Sequence, residues 1–437
     1  MKIKKLTALL LGLVLMSQTL ACTDDAESNS QSGGDSTSQS SQSDESESTS
    51  QISYEIAPDE SWEAAESEDF PKLMDSYIDD AAIKRSILNV GDTSRLVNAM
   101  KRAKDGEAIT IATIGGSITQ GSSASQTSLS YSYLFYEWWV TAFQNGNINY
   151  VNAGIGATDS YIGVHRVQKD VIDQNPDVVI VEFSVNDTVA ELNQKTYDSL
   201  VRRLLSCESQ PAVILLFTTQ ENGTSFQNIH SQIGYAYDLP MISYKDVVLE
   251  DISNGKYAWT DISPDNIHPN TMGHNIIGEL LYAYLNSVLD DIDTLSDEKT
   301  PFEAESYTAD LYANGVLYDS SNITPTAMEG FAESSVSYQF PNDWTAENGG
   351  SITFEVEAKN IGIMYYKTID GKSGAYEVYV DGELAATLDG DFTGGWGDYA
   401  QADEVYTSDE TATHTVEIKP TILDENTKFS VLGLLVS

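Results

Sequence analysis

The chain has 437 residues, which is more than one hydrophobic core accommodates, so we expect two domains and additional segments. It carries 23 basic and 67 acidic residues, a formal net charge of −44. Because so acidic a chain repels nucleic acids and anionic lipid surfaces, no nucleic-acid partner is expected. The two cysteines, Cys22 and Cys207, are too few for a disulfide framework.

The N-terminus has the parts of a secretory signal. Lysines at positions 2, 4 and 5 precede an apolar run over 6–16, and small residues lead to a cysteine. Because Leu20-Ala21-Cys22 resembles a bacterial lipobox, residues 1–21 are predicted to be a signal peptide and Cys22 the lipidated first residue of the mature protein. A plain signal peptide with an incidental cysteine is the alternative. We expect an extracytoplasmic protein that contacts the membrane only through the lipid anchor at Cys22.

A polar segment follows the predicted anchor. Residues 23–50 are mostly Ser, Asp, Glu, Gln and Gly and contain almost no apolar side chain. Such a composition cannot bury a core, so residues 22–60 are predicted to form a disordered tether.

The next region, over 75–295, alternates strand and helix patterns. Apolar runs predict strands over 108–114, 149–153, 177–183, 212–217 and 240–243. Helical spacing predicts helices over 92–106, 131–143, 162–173, 197–207, 226–237 and 272–289. Five strands that alternate with helices indicate a doubly wound parallel sheet with right-handed crossovers.

The pattern changes in the last region, over 300–437. Two-residue alternation predicts strands over 351–356, 375–380, 413–418 and 429–436, with Gly and Asp in the turns between strands. Short strands at this spacing predict a β-sandwich. Trp396 and Tyr399 suit either stacking on a sugar ring or filling the core of this sandwich.

The first predicted strand of the alternating region ends at Gly115-Gly116-Ser117. Ligands bind at the carboxyl ends of strands in open α/β sheets, and glycines allow a ligand to approach the backbone closely. Ser117 is therefore a candidate nucleophile. Taken alone, the same three residues also suit an ordinary turn.

Three further segments carry polar or small residues suited to the same chemistry. The run Gly154-Ile155-Gly156-Ala157 follows the second strand, and its backbone amides can receive an oxyanion. Asn186 follows the third strand. Asp265 precedes His268 by three residues, so its carboxylate can fold back onto the ring and fix the tautomer of a base. Each segment alone also has a structural explanation, as a turn or a helix cap.

Together the four segments resemble the SGNH, or GDSL-type, hydrolase superfamily over about residues 110–285. The resemblance implies a flavodoxin-like three-layer α/β/α domain with a parallel sheet, followed here by a jelly-roll-like sandwich. It also implies that Ser117 is the nucleophile, that His268 is the general base and then the acid, and that Asp265 orients His268. Asp261 or a backbone carbonyl are the alternatives for orienting His268. No metal or cofactor is implied.

The resemblance further implies an oxyanion hole made of the Ser117 amide, the Asn186 side chain and one amide of the glycine segment. Two departures from the family pattern stand out. The usual Gly-Asp-Ser is Gly115-Gly116-Ser117 here, and the family glycine falls on Ala157, directly after Gly156. Either Gly156 or Ala157 therefore supplies the backbone amide.

The substrate is inferred from the context of the predicted hydrolase. A secreted, tethered and acidic enzyme with an appended β-sandwich resembles the carbohydrate acetylesterases of this superfamily, and the sequence shows no long apolar lid. We therefore expect removal of acetyl or other short acyl groups from a polysaccharide such as acetylated xylan. One alternative is a lipase or lysophospholipase that acts on longer acyl esters. Another is a non-catalytic surface lipoprotein that binds carbohydrate.

Overall fold

A computed structural model describes residues 78–394, 397–421 and 427–437 of the chain. The predicted signal peptide, Cys22 and the predicted tether lie outside the described residues, and so does Trp396.

The first part of the described chain alternates helices and strands. The helices are α1 (Asp80–Ser86), α2 (Ser94–Lys104), α3 (Ser117–Gln120), α4 (Tyr131–Phe143), α5 (Ser160–Asp170), α6 (Ala190–Ser206), α7 (Gln227–Ala236), α8 (Tyr244–Ser253), α9 (Trp259–Ile262) and α10 (Thr271–Asp290). The strands are β1 (Ile87–Asn89), β2 (Ile109–Gly115), β3 (Ile148–Gly154), β4 (Val178–Glu182), β5 (Ala212–Phe217) and β6 (Met241–Ser243). In the described part of the chain, every helix is too short or too polar to traverse a lipid bilayer.

These strands form one sheet in the order β1-β6-β5-β4-β2-β3, in which all neighbours are parallel except β1 and β6. Successive side chains of a strand point to opposite faces of the sheet. In β4, Val178 and Ile180 belong to a core built with α2, α4, α8 and α10, whereas Val179 and Val181 belong to a core with α5, α6 and α7. Helices therefore cover both faces, which confirms the predicted three-layer, doubly wound fold.

The sheet differs from the prediction in its number of strands. The prediction of five strands missed β1, since a three-residue edge strand is too short to show a pattern. Helices α1 and α8 were also missed, and α6 begins at Ala190 rather than at 197. The first turns of α6 are polar, so apolar spacing reveals only the half of the helix that lies on the core.

The second part of the described chain consists of strands. They are β7 (Val316–Tyr318), β8 (Ala327–Ser334), β9 (Asp343–Lys367), β10 (Ala375–Val380), β11 (Glu383–Asp389), β12 (Tyr399–Pro420) and β13 (Lys428–Val436). Hydrogen bonds connect them in the order β11-β10-β12-β9-β13-β7, and β8 pairs with β9. Pairing is antiparallel except between β13 and β9.

This second sheet folds back on itself. Tyr376 of β10 stacks on Phe429 of β13 with 4.0 Å between the ring centroids, although β12 and β9 separate these strands in the hydrogen-bonded order. The two halves of the sheet therefore enclose an apolar core, which confirms the predicted sandwich. Tyr399 is half-buried and packs edge-on against Phe392, as expected of a packing residue.

The two parts share an apolar core on the α5 side of the parallel sheet. Met364 of β9 and Leu435 of β13 belong to the same buried cluster as Tyr161 and Val164 of α5. The approach is close at Gly362, where an added Cβ atom would lie 1.9 Å from the Tyr161 hydroxyl. The sandwich is therefore packed directly against the domain that carries the candidate nucleophile.

Candidate active site

Ser117 lies at the carboxyl end of β2, as the sequence predicts. β2 ends at Gly115, and Ser117 is the first residue of the short helix α3. Its Oγ atom lies 2.9 Å from His268 Nε2, although 151 residues separate the two in the chain. The serine hydroxyl therefore has a histidine nitrogen at hydrogen-bond distance, as a serine nucleophile requires.

Asp265 holds the His268 ring from the other side. The Asp265 Oδ2 atom lies 2.9 Å from His268 Nδ1, and its Oδ1 atom accepts hydrogen bonds of 2.7 Å from the backbone amides of Ile267 and His268. The protonated Nδ1 atom donates a hydrogen bond to the carboxylate, so the tautomer leaves Nε2 as the acceptor that faces Ser117. The orientation of the ring thus depends on a turn of four residues.

The hydrogen bonds of Asp265 also control its ionisation. Partial burial raises the pKa of this carboxyl, but the hydrogen bonds from His268 and Ile267 outweigh burial and lower the pKa below 3.8. Asp265 is therefore ionised at neutral pH and able to stabilise a cationic His268 ring.

The Asp261 carboxylate is engaged away from the His268 ring. Its Oδ2 atom accepts a 2.9 Å hydrogen bond from the Ala258 amide at the start of α9. The other histidine near this loop, His274, is buried and packs against Tyr131, whose amide donates to its Nδ1 atom at 3.2 Å. His274 is therefore a packing residue beside α4.

The glycine segment follows β3 and lies beside the nucleophile. An added Cβ atom at Gly156 would be 3.8 Å from Ser117 Cβ. The Gly156 amide already donates a hydrogen bond of 2.6 Å to the side-chain oxygen of Gln120. Ala157 has a φ of +60°, a left-handed conformation that is strained for alanine and natural for glycine. This positive φ explains why the family pattern has glycine at this position.

Asn186 and Gly116 approach each other closely. An added Cβ atom at Gly116 would lie 2.2 Å from Asn186 Oδ1 and 2.9 Å from Nδ2, so Asn186 occupies the space that any side chain at 116 needs. Asn186 Oδ1 is buried and has no hydrogen-bond partner among the described residues. Gly116 therefore leaves room for the Asn186 side chain beside Ser117.

A buried pair fixes the segment that carries Asn186. The adjacent Asp187 contacts His230 of α7, with 2.8 Å between Oδ2 and Nε2, and accepts a 2.8 Å hydrogen bond from the Ser160 amide of α5. Burial raises the pKa of Asp187 to about 8 and lowers that of His230 to about 3. No sequence pattern predicts this pair, because His230 lies 43 residues from Asp187 in a helix without any recognisable motif.

The described residues contain no group of three or more His, Cys, Asp or Glu side chains suited to hold a metal ion. The side chains that do converge are a serine, a histidine and a carboxylate in one chain of hydrogen bonds, with an amide side chain beside the serine. Such an arrangement activates a hydroxyl for attack on a carbonyl carbon. It brings together all the site residues that the sequence predicts within the described ranges.

Comparisons with known proteins place this geometry in a family context. Residues 113–276 match the model of the GDSL-like Lipase/Acylhydrolase family. The structure is similar to a crystal structure of a two-domain esterase (CEX) active on acetylated mannans, co-crystallized with mannopentaose. The sequence identity is 34%, the TM-score is 0.75, and the match covers 81% of this chain and 97% of that one. A second crystal structure of a two-domain esterase (CEX) active on acetylated mannans matches at 34% identity and a TM-score of 0.76, covering 81% of this chain and 98% of that one. A search of curated proteins gives no significant match.

The contact between Gly116 and Asn186 predicts the effect of a side chain at position 116. Gly116→Ala should slow the labelling of Ser117 by a fluorophosphonate at least about tenfold, because it displaces Asn186, and one oxyanion donor is worth about 10²–10³-fold. The matched control is Gly146→Ala, whose new Cβ atom meets no other atom within 4 Å. Equal labelling rates for the two variants would contradict the assignment of Asn186 as a donor.

Proposed function

Because this chain belongs to the GDSL-like lipase/acylhydrolase family, we propose that it is an extracytoplasmic serine esterase that removes acetyl groups from a polysaccharide. The proposed reaction is supported by the chain of hydrogen bonds from Ser117 through His268 to Asp265. The substrate class rests on the two-domain esterase, which is described as active on acetylated mannans. Similarity to that enzyme extends over both domains, so we place acetylated mannan first and acetylated xylan second.

The reaction begins with attack of Ser117 Oγ on the ester carbonyl carbon. His268 Nε2 takes the hydroxyl proton while Nδ1 keeps its hydrogen bond to Asp265, whose negative charge stabilises the imidazolium that forms. The carbonyl oxygen becomes an oxyanion that receives hydrogen bonds from Asn186 and from backbone amides beside Ser117. The bond between the carbonyl carbon and the sugar oxygen then breaks, His268 gives its proton to that oxygen, which leaves as a hydroxyl, and the acetyl group remains on Ser117.

Hydrolysis of the acyl-enzyme repeats these roles with water as the attacking group. His268 Nε2 takes a proton from water, which attacks the acetyl carbonyl, and it then returns that proton to Ser117 Oγ as acetate departs. The same oxyanion donors serve both steps. Water is the second reactant, and the chain's own side chains supply all the proton transfers.

The substrate proposal is tested by measuring acetate release from acetylated mannan and acetylated xylan, together with hydrolysis of p-nitrophenyl esters of increasing acyl length. We expect turnover of an acetylated glycan and of p-nitrophenyl acetate, a steep fall with longer chains, and no activity in Ser117→Ala. A preference for long acyl chains would instead indicate a lipase. Binding of glycan by a folded protein that turns over none of these esters would indicate a non-catalytic binding protein.

The role of Asp265 is tested by a matched pair of substitutions, one at Asp265 and one at Asp261 in the neighbouring helix α9. Asp265→Asn should lower kcat by roughly 10²–10⁴-fold, because an amide there favours the wrong tautomer of His268. Asp261→Asn should keep nearly full activity, because the asparagine oxygen still accepts the hydrogen bond from Ala258. If kcat of Asp265→Asn stays within a few fold of the wild type, another group orients His268.

The location of the enzyme is proposed from its N-terminal sequence alone. A lipid on Cys22, at the start of the tether of residues 22–60, would hold the esterase at the outer face of the membrane. Metabolic labelling with a radioactive fatty acid in a bacterial host should label the wild type and leave Cys22→Ala unlabelled. Equal labelling of both proteins would contradict the anchor at Cys22.

A further inference from the structure

Gln120 makes contacts that the mechanism above does not use. It is the last residue of α3, one helical turn after Ser117, and its side chain is half-buried. Its Oε1 atom accepts a hydrogen bond of 2.6 Å from the Gly156 amide and a longer one of 3.3 Å from Gln339 Nε2. Its Nε2 atom donates to the Tyr338 hydroxyl at 3.3 Å. The shortest of these bonds ties the helix of the nucleophile to the glycine segment.

The backbone of α3 also contacts this segment. An added Cβ atom at Gly154 would lie only 2.2 Å from the Gln120 backbone nitrogen, and one at Gly156 would lie 3.0 Å from Gln120 Oε1. The glycine segment is therefore in close contact with α3 along two of its residues. The Gln120 side chain therefore contacts the segment whose amides lie beside Ser117.

The hydrogen bond to Gln120 distinguishes the amides of Gly156 and Ala157, the two candidate donors to the oxyanion. The Gly156 amide is engaged with Gln120, whereas none of the described residues accepts a hydrogen bond from the Ala157 amide. Ala157 has a φ of +60°, a conformation that a residue other than glycine keeps only where the surrounding structure imposes it. A hydrogen bond on the preceding amide is one such constraint.

From these contacts we propose that Gln120 is a positioning residue. It holds the Gly156 amide and keeps the segment in the conformation that presents the Ala157 amide to the oxyanion. Gly156 then serves as the anchor of the segment rather than as a donor to the substrate. This inference rests on the proposed esterase function and adds a residue to it.

The proposal is tested by steady-state kinetics with p-nitrophenyl acetate. Gln120→Met keeps the approximate size of the side chain and removes the acceptor, so kcat should fall at least about tenfold while KM changes little, because the lost interaction acts in the transition state. The matched control Gln339→Ala removes only the longer bond to Gln120 Oε1, and its kcat should stay within about twofold of the wild type. If Gln120→Met does not fold, Gln120→Asn, whose shorter amide does not reach Gly156, should show the same loss of kcat.

A second variant separates positioning of the segment from general stability. Ala157→Gly removes the penalty for a positive φ, so in the Gln120→Met background it should restore a large part of the lost kcat. A loss that the glycine does not restore at all would overturn the proposal. So would a kcat for Gln120→Met within twofold of the wild type, or an effect confined to KM, which would make Gln120 a substrate-binding residue.

The failure of this inference is distinguishable from the failure of the proposed function. If the wild type neither hydrolyses p-nitrophenyl acetate nor reacts with a fluorophosphonate, the esterase proposal fails and the role of Gln120 fails with it. If the wild type is active and Gln120→Met equals it, the role of Gln120 alone is overturned.

Discussion

The register of three parallel strands is the constraint on which the site depends. Gly115 of β2 is paired with Gly154 of β3 on one side and with Glu182 of β4 on the other, so all three strands end at one level. The buried Arg166 of α5 reinforces this edge, because its guanidinium donates hydrogen bonds of 3.0 and 2.7 Å to the carbonyls of Gly115 and Ala153. The nucleophile, the glycine segment and the asparagine loop therefore leave the sheet side by side.

His268, the proposed base, is held at this edge by a turn that its own hydrogen bonds stabilise. One carboxylate, Asp265, accepts hydrogen bonds from two backbone amides and from the ring of His268, and Asn270 caps the helix α10 that begins immediately afterwards. Because the native pKa of Asp265 is lowered, its ionised form stabilises this turn above the unfolded pKa of about 3.9. That contribution is lost as the pH falls through the lowered native pKa.

Sequence alone predicted the features that local pattern determines. The strand before Ser117, the order of the four segments and the spacing of Asp265 and His268 are all visible within short windows, and strand ends in a parallel sheet meet at one edge. The contact of Gln120 with Gly156 joins residues 36 apart, and the contact of Gly116 with Asn186 follows from backbone approach. No periodicity encodes such pairs, so the sequence left the choice of oxyanion amide open.

The most direct test of the proposed acyl-enzyme mechanism is to identify the residue that carries the acyl group. The wild type is mixed with p-nitrophenyl acetate, quenched in acid within the first turnover, digested and analysed by mass spectrometry. We expect an acetyl group on the peptide that contains Ser117, with release of one equivalent of nitrophenol before steady state if deacetylation is the slower step, and neither signal in Ser117→Ala. An acetyl group on a different residue, or unchanged hydrolysis by Ser117→Ala, would contradict it.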